Sequence, residues 1–351
     1  MARLTLATVA VGTPMGQQVY EREVAARAAG ALGGDVEVTR SVTRSLRSPL
    51  PGTARLPHRL LHDAPTGLRR VVGAAMYRGA DVVHRMGLSL PPARVPEIVT
   101  VHDTVAWRFP DESRPETFAA AELRRARAVV SVSQFAADDV AERLGLEHVH
   151  VIHNGVDERL LGARPATAER LRELGVEGPY VLHAGGSSTR KNLEALAAAW
   201  PKVRSRFPDV SLVLAGPPSP RRDRLFGPLD GAVRVGRVPD EDVAGLLAAA
   251  SAVVVPSVYE GFGLPALEGL AVGTPVVAAA RSSLPEVCGD AAVLVEPDGP
   301  SIAEGLEHVL TGGAEVDLLV ARGRERAARF TWDATAAAHA RLWRAVLDGR
   351  Q

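Results

Sequence analysis

With 351 residues and 46% hydrophobic content, the chain is too long for one ordinary domain and large enough to bury two cores. Its 41 Lys plus Arg balance 41 Asp plus Glu, and aromatics are only 4%, which removes any global case for nucleic-acid binding and leaves few platforms for stacked bases. The single cysteine, Cys288, rules out an intramolecular disulfide and suits a reducing compartment, while no apolar run reaches the ~20 residues that a membrane-spanning helix needs.

Residues 4–11 alternate apolar and polar side chains, so they predict a first strand rather than a secretory leader, and the expected location is the cytoplasm. Gly12, Pro14 and Gly16 then turn the chain into a helix over 17–32, and strands are predicted at 36–42, 81–85, 98–101, 128–133 and 149–152. Between Arg40 and Arg94 ten arginines face two acids, Asp63 and Asp81, a local excess of 10 − 2 = +8. Such an excess points to contact with anionic lipid at the inner face of a membrane, or with an anionic acceptor, and 54–63 (ARLPHRLLHD) is a candidate amphipathic turn within it. A solvated Arg-rich loop explains the same composition. His148, His150 and His153 gather near a strand end without the carboxylate or cysteine company of a metal site, so no metal is expected there.

Asn154-Gly155 marks a sharp turn, and 158–178 has no strand character and reads as a connector. A second series of strands starts at Tyr180 and continues at 210–215, 233–235, 252–255, 276–279 and 292–295, and 330–347 is predicted as a final helix. Two Rossmann-like parallel-sheet domains facing across a cleft are the expected architecture.

Two segments of the second series carry chemistry. In VLHAGGSSTRKNLEAL, a strand runs through Gly185 and Gly186 to Arg190, Lys191 and Asn192 at a helix start. A guanidinium fork beside a compact ammonium suits a diphosphate. Lysine occurs only at Lys191 and Lys202, against an otherwise all-arginine background. In SAVVVPSVYEGFGLPALEGL, a β-branched strand delivers Glu260 into a Gly261-Phe262-Gly263-Leu264-Pro265 turn, and Glu268 follows about one helical turn later. The glycines let backbone amides approach a ligand at the helix start, and Glu268 is placed to accept hydrogen bonds from vicinal ribose hydroxyls.

These segments, with LVLAGP, VGRVPDEDVAGLLAAASAVVVPS and GTPVVAAA, resemble the donor domain of the family 4 retaining glycosyltransferases of GT-B fold along residues 179 to about 328. The resemblance implies that Arg190 and Lys191 bind the donor diphosphate, Glu260 contacts the donor sugar and Glu268 holds the ribose. It also implies that the base meets backbone near Arg237 and Val238. In the first half, Gly12 and Gly16 stand where the family has a Gly-rich loop, although the usual Gly-Gly pair is replaced by Gly-Thr-Pro-Met-Gly. His102 and Asp103 match a His-Asp pair whose histidine faces the transferred sugar in one branch of the family. The implied domains are 1–157 for the acceptor, a linker at 158–178, 179–329 for the donor, and a helix at 330–351 that crosses back to the first domain.

The expected activity is metal-independent, retaining transfer of a hexose from a nucleotide diphosphate sugar to a glycan or lipid-linked acceptor. The resemblance favours GDP-mannose as donor, with UDP-linked hexoses as the other choice. Departure of the diphosphate builds charge that Arg190, Lys191 and the amides after Glu260 are placed to absorb, and no cofactor is called for. Two other classes stay open: a GT-B nucleotide-sugar epimerase, and a binding protein that keeps the cleft without turnover.

Overall fold

The computed structural model, which describes residues 1–12, 16–57 and 61–349, contains two separate parallel sheets. They belong to two units, Met1–Gly155 with Trp332–Gln351, and Val156–Thr331.

The first sheet holds β1 (Ala2–Val9), β2 (Val36–Ser45), β3 (Ala54–Leu56), β4 (Val82–Arg85), β5 (Glu97–Thr100), β6 (Ala128–Ser131) and β7 (His150–Val151), in the order β3-β2-β1-β4-β5-β6-β7. Central strands β4, β5 and β6 are buried at every position, as expected of a parallel sheet covered on both faces. The edge strand β3 is the one the sequence reading missed: three residues, one of them Arg55, leave no period to detect. It occupies the start of the candidate amphipathic turn at 54–63, of which residues 58–60 lie outside the described residues.

Helix Gly16–Ala31 turns Tyr20, Val24 and Ala28 inward at four-residue spacing, and the last helix, Trp332–Leu347, adds Trp332, Trp343 and Val346 to the same core. A polar seam runs through that core. Trp343 Nε1 donates to His84 Nδ1 (3.1 Å), so a neutral His84 carries its proton on Nε2 and donates it to Thr100 Oγ1 (2.8 Å). Tyr20 Oη bonds both Thr100 Oγ1 (2.8 Å) and His339 Nε2 (3.0 Å).

The arginine excess is only partly a surface. Arg69 and Arg85, counted within it, are fully buried and paired with Glu122 and Glu97.

The second sheet holds β8 (Tyr180–Ala184), β9 (Ser211–Ala215), β10 (Ala232–Gly236), β11 (Ala252–Val255), β12 (Val276–Ala279) and β13 (Val293–Val295), in the order β10-β9-β8-β11-β12-β13. The residues read as a connector, 158–178, carry a 3-10 turn at Glu158–Leu160 and a helix at Ala168–Glu173, and they lie in this second unit. That helix buries none of its residues and is capped by Thr167, so it had no hydrophobic stripe to betray it. In each sheet the strand order reverses beside the first strand of its series, between β1 and β4 and between β8 and β11. The carboxyl ends of strands at such a reversal are where open parallel sheets bind ligands. Among the described residues no helix is long and apolar enough to cross a membrane.

Candidate functional site

At the second reversal, β8 leads into Gly185 and Gly186, whose backbone is gripped from below. Arg222, 2% exposed, donates from Nη2 to the carbonyls of Gly185 (2.5 Å) and Ala215 (3.2 Å). Gly216, at φ 136°, leaves no room for a Cβ against the Gly185 carbonyl, so the two loops touch backbone to backbone. A 3-10 turn, Thr189–Lys191, then presents the two cations. Asn192 ends it in the left-handed region and starts helix Leu193–Arg206.

Facing this turn, β11 runs into Pro256, and Asn192 Nδ2 donates to the Pro256 carbonyl (3.1 Å) while Val258 N donates to the Arg190 carbonyl (2.9 Å). These bonds lock the two segments together. Glu260, 6% exposed, sits between the cations: Arg190 Nη1 donates to Oε2 (2.8 Å) and Lys191 Nζ to Oε1 (2.6 Å). Burial alone would raise the Glu260 carboxyl, but Lys191 and Arg190 override it and hold it at about 2. The cations read as a bare anion site are therefore already engaged by a carboxylate from the companion segment. Gly185 stands beside them, with the Lys191 ammonium 3.8 Å from where a Cβ would project.

Gly263, at φ 99°, makes the turn into helix Leu264–Val272, with Pro265 in its first turn. Half-buried Glu268 follows; burial first and Asp157 second push its carboxyl up to about 7. Gly261 is buried, and Phe262 packs edge-on against Phe330 at 5.8 Å, so its side chain belongs to the core. Leu264 is half-buried, and Val238 is buried just after β10.

The structure adds neighbours that the sequence reading passed over. Buried His183 lies close enough to Arg222 and Lys191 for their charges to help burial depress it to about 3, so it is neutral, and among the described residues its Nδ1 has no partner. Ser282 and Ser283 bind the backbone of Glu260. None of these carried a spacing signal: His183 lies within the apolar run of β8, and Ser282 and Ser283 reach Glu260 from the loop after β12, 22 and 23 residues away.

In the first unit the candidate glycines follow β1, at its reversal, and His102 and Asp103 follow β5, one strand beyond β4. Gly12 is exposed and Gly16 begins the first helix, while 13–15, the replaced part of the glycine loop, lie outside the described residues. His102 follows β5; its ring donates to the Met86 backbone, and among the described residues its buried Nε2 has no partner. Burial lowers it to about 4, so it is neutral with a lone pair to offer. Asp103 Oδ1 accepts from Val105 N (3.0 Å), a local turn that leads into the short helix Val105–Arg108.

Two families match the chain in succession: Glycosyltransferase Family 4 over residues 9–160, and Glycosyl transferases group 1 over residues 178–312. The O-antigen chain mannosyltransferase B of Escherichia coli is 38% identical over 165 residues, 44% of this chain, and the match spans only 42% of that protein's length. The MMP alpha-(1->4)-mannosyltransferase of Mycolicibacterium hassiacum is 31% identical over 289 residues, 73% of this chain and 68% of its own. Among solved structures, the sucrose-phosphate synthase from Thermosynechococcus elongatus matches with a TM-score of 0.76 at 23% identity, over 98% of this chain and 99% of that one, a likeness of fold.

Proposed function

Starting from a chain that belongs to the family 4, group 1 glycosyltransferases, we propose that it moves a hexose, with retention, from a nucleotide diphosphate sugar to a glycan or lipid-linked acceptor. The observation that carries this reading is the convergence of Arg190 and Lys191 on Glu260 at the carboxyl ends of β8 and β11. Two cations, Arg190 and Lys191, face one carboxylate, an excess of positive charge that a diphosphate would balance. Charge that grows on the leaving diphosphate then meets fixed partners without solvent reorganisation. Both oxygens of Glu260 are already held by cations, which makes it a poor nucleophile and favours its use as support for the sugar and the two side chains. His102 offers Nε2 as an acceptor to a sugar hydroxyl. Arg190, Lys191 and the helix start take the place of a divalent ion.

The mannosyltransferase relatives favour GDP-mannose as donor, ahead of a UDP-hexose. Calorimetry with GDP, UDP, ADP and dTDP, with and without Mg²⁺, followed by transfer or donor hydrolysis, tests the proposal. Tight binding without any turnover would favour a non-catalytic binding protein, and interconversion of the free nucleotide sugar an epimerase.

Glu268 makes the binding pH-dependent. Only its ionised form accepts from two ribose hydroxyls, so nucleoside diphosphate affinity should climb between about pH 6 and about pH 8. Glu268→Gln should flatten that climb and weaken binding by roughly ten- to a hundredfold at high pH. An unchanged pH profile in the variant removes Glu268 from the ribose. The same raised carboxyl favours the folded state below its ordinary range and withdraws that contribution as pH rises through about 7.

Contact with an anionic membrane is the remaining part of the proposal. Helix Thr66–Met76 exposes Leu68 (54%) and Val71 (53%), with Ala75 exposed on the same side and Arg70 and Arg78 beside them. Cosedimentation with phosphatidylglycerol vesicles should be lost in Leu68→Glu/Val71→Glu, with donor binding unaltered. Equal sedimentation of both proteins would end this part of the reading.

A further inference from the structure

Among the described residues just two non-glycine residues take a left-handed backbone, Asn192 and Ser282, each at φ 54°. Both flank Glu260. Asparagine tolerates this region, and Asn192 uses it to reach the Pro256 carbonyl (3.1 Å) and the Pro297 carbonyl (2.8 Å) through one amide. Serine has no such ease, so its conformation is held by its surroundings. The Ser282 hydroxyl accepts from the Glu260 N–H (2.9 Å), and the next hydroxyl, on fully buried Ser283, donates to the Glu260 carbonyl (2.9 Å). Consecutive serines thus tie down the two peptide groups of a single residue. The next residue, Leu284, lies under Gly263 where a Cβ would meet it at 2.8 Å, so the same loop also supports the turn that follows Glu260.

We infer that Ser282 is a positioning residue for Glu260, its left-handed backbone being the cost of placing a hydroxyl where it fixes the Glu260 peptide and, through the carboxylate, both Arg190 and Lys191. Without that bond the peptide is free to rotate, and a carboxylate that bridges two cations transmits the rotation to both. The inference rests on the proposed role of Glu260.

Two substitutions separate the hydroxyl from the backbone. Ser282→Gly adopts φ 54° without a Cβ penalty but has no acceptor; Ser282→Ala keeps the penalty and also lacks the acceptor. Hydrogen exchange at the Glu260 amide, thermal unfolding, and turnover of GDP-mannose, UDP-glucose and ADP-glucose are measured for both variants and for Glu260→Gln. Expected are amide protection reduced roughly tenfold in both serine variants and kcat reduced roughly tenfold in both. The glycine variant should melt at or above the wild type and the alanine variant below it, so that loss of turnover parts company with loss of stability. Wild-type protection, or a kcat within about twofold of wild type in Ser282→Gly, overturns the inference. If Glu260→Gln is fully active, or no donor is turned over, the proposed role of Glu260 falls instead, and amide exchange still decides whether Ser282 holds that peptide.

Discussion

Lys191→Ala should keep its fold and lose transfer by about 10²- to 10³-fold, the effect of deleting one fixed donor to a developing oxyanion. Lys191 is 8% exposed, and its ammonium lies 2.6 Å from Glu260, beside the open Gly185–Gly186 loop. Its removal acts twice. The leaving diphosphate loses a compact cation, and Glu260, left with Arg190 alone, adds repulsion where the phosphates belong. Lys191→Arg should rescue poorly, because a planar fork does not fill the place of a point charge. A double-mutant cycle with Glu260→Ala apportions the two effects. If Lys191 served only to hold Glu260, the double variant would be no worse than Glu260→Ala. If it meets the phosphates directly, the double variant falls further. Full activity in a folded Lys191→Ala protein would remove this residue from the mechanism.

Glu122→Ala should be the most damaging substitution for stability in the first unit, at about 3–5 kcal/mol. Arg69 and Arg85 are both fully buried, and Glu122 accepts from Arg69 Nε (2.8 Å) and Arg85 Nη1 (3.0 Å). Glu97 neutralises Arg85 from the other side (3.0 Å) and so stands as the second carboxylate of the network. Taking Glu122 away leaves two guanidinium groups and one carboxylate out of water. Arg69 would keep its bonds to the Leu61 (2.9 Å) and Leu90 (3.0 Å) carbonyls and its stacking on Phe118, so local geometry survives while the charge goes uncompensated. The midpoint of thermal unfolding of this unit should drop by roughly 6–20 °C. Glu122→Gln, which retains an acceptor but not the charge, should fall between. Denaturation of both variants alongside wild type is the check, and a loss below about 1 kcal/mol would mean that the arginines find water or new partners.

Arg69 and Arg85 also show how composition misleads. In the sequence they are two of ten arginines in an apparently basic surface, because their partners Glu97 and Glu122 lie beyond that stretch. Pairing at a distance of 12 to 53 residues has no local period. Arg222 was missed for the same reason: it follows half-buried Arg221 in a run of charges, and only the meeting of β8 and β9 makes it a buried clamp on Gly185.

What the sequence by itself determined is whatever is written at short range. Buried parallel strands read as unbroken β-branched runs, the strand–glycine–helix turns marked the carboxyl ends of strands at both reversals, and Arg190, Lys191, Glu260 and Glu268 stood out because their chemistry sits at fixed spacing inside single segments. The short edge strand at Ala54–Leu56 and the polar helix Ala168–Glu173 escaped, lacking a hydrophobic face to set a period. Tertiary structure alone decided that Glu260 bridges the two cations, that Ser282 and Arg222 hold the loops on either side, and that His84, His339 and Tyr20 form one seam in the first core. Those contacts join residues tens to hundreds of positions apart. Their energies come from desolvated charges and hydroxyls whose partners exist only once the strands have been ordered side by side.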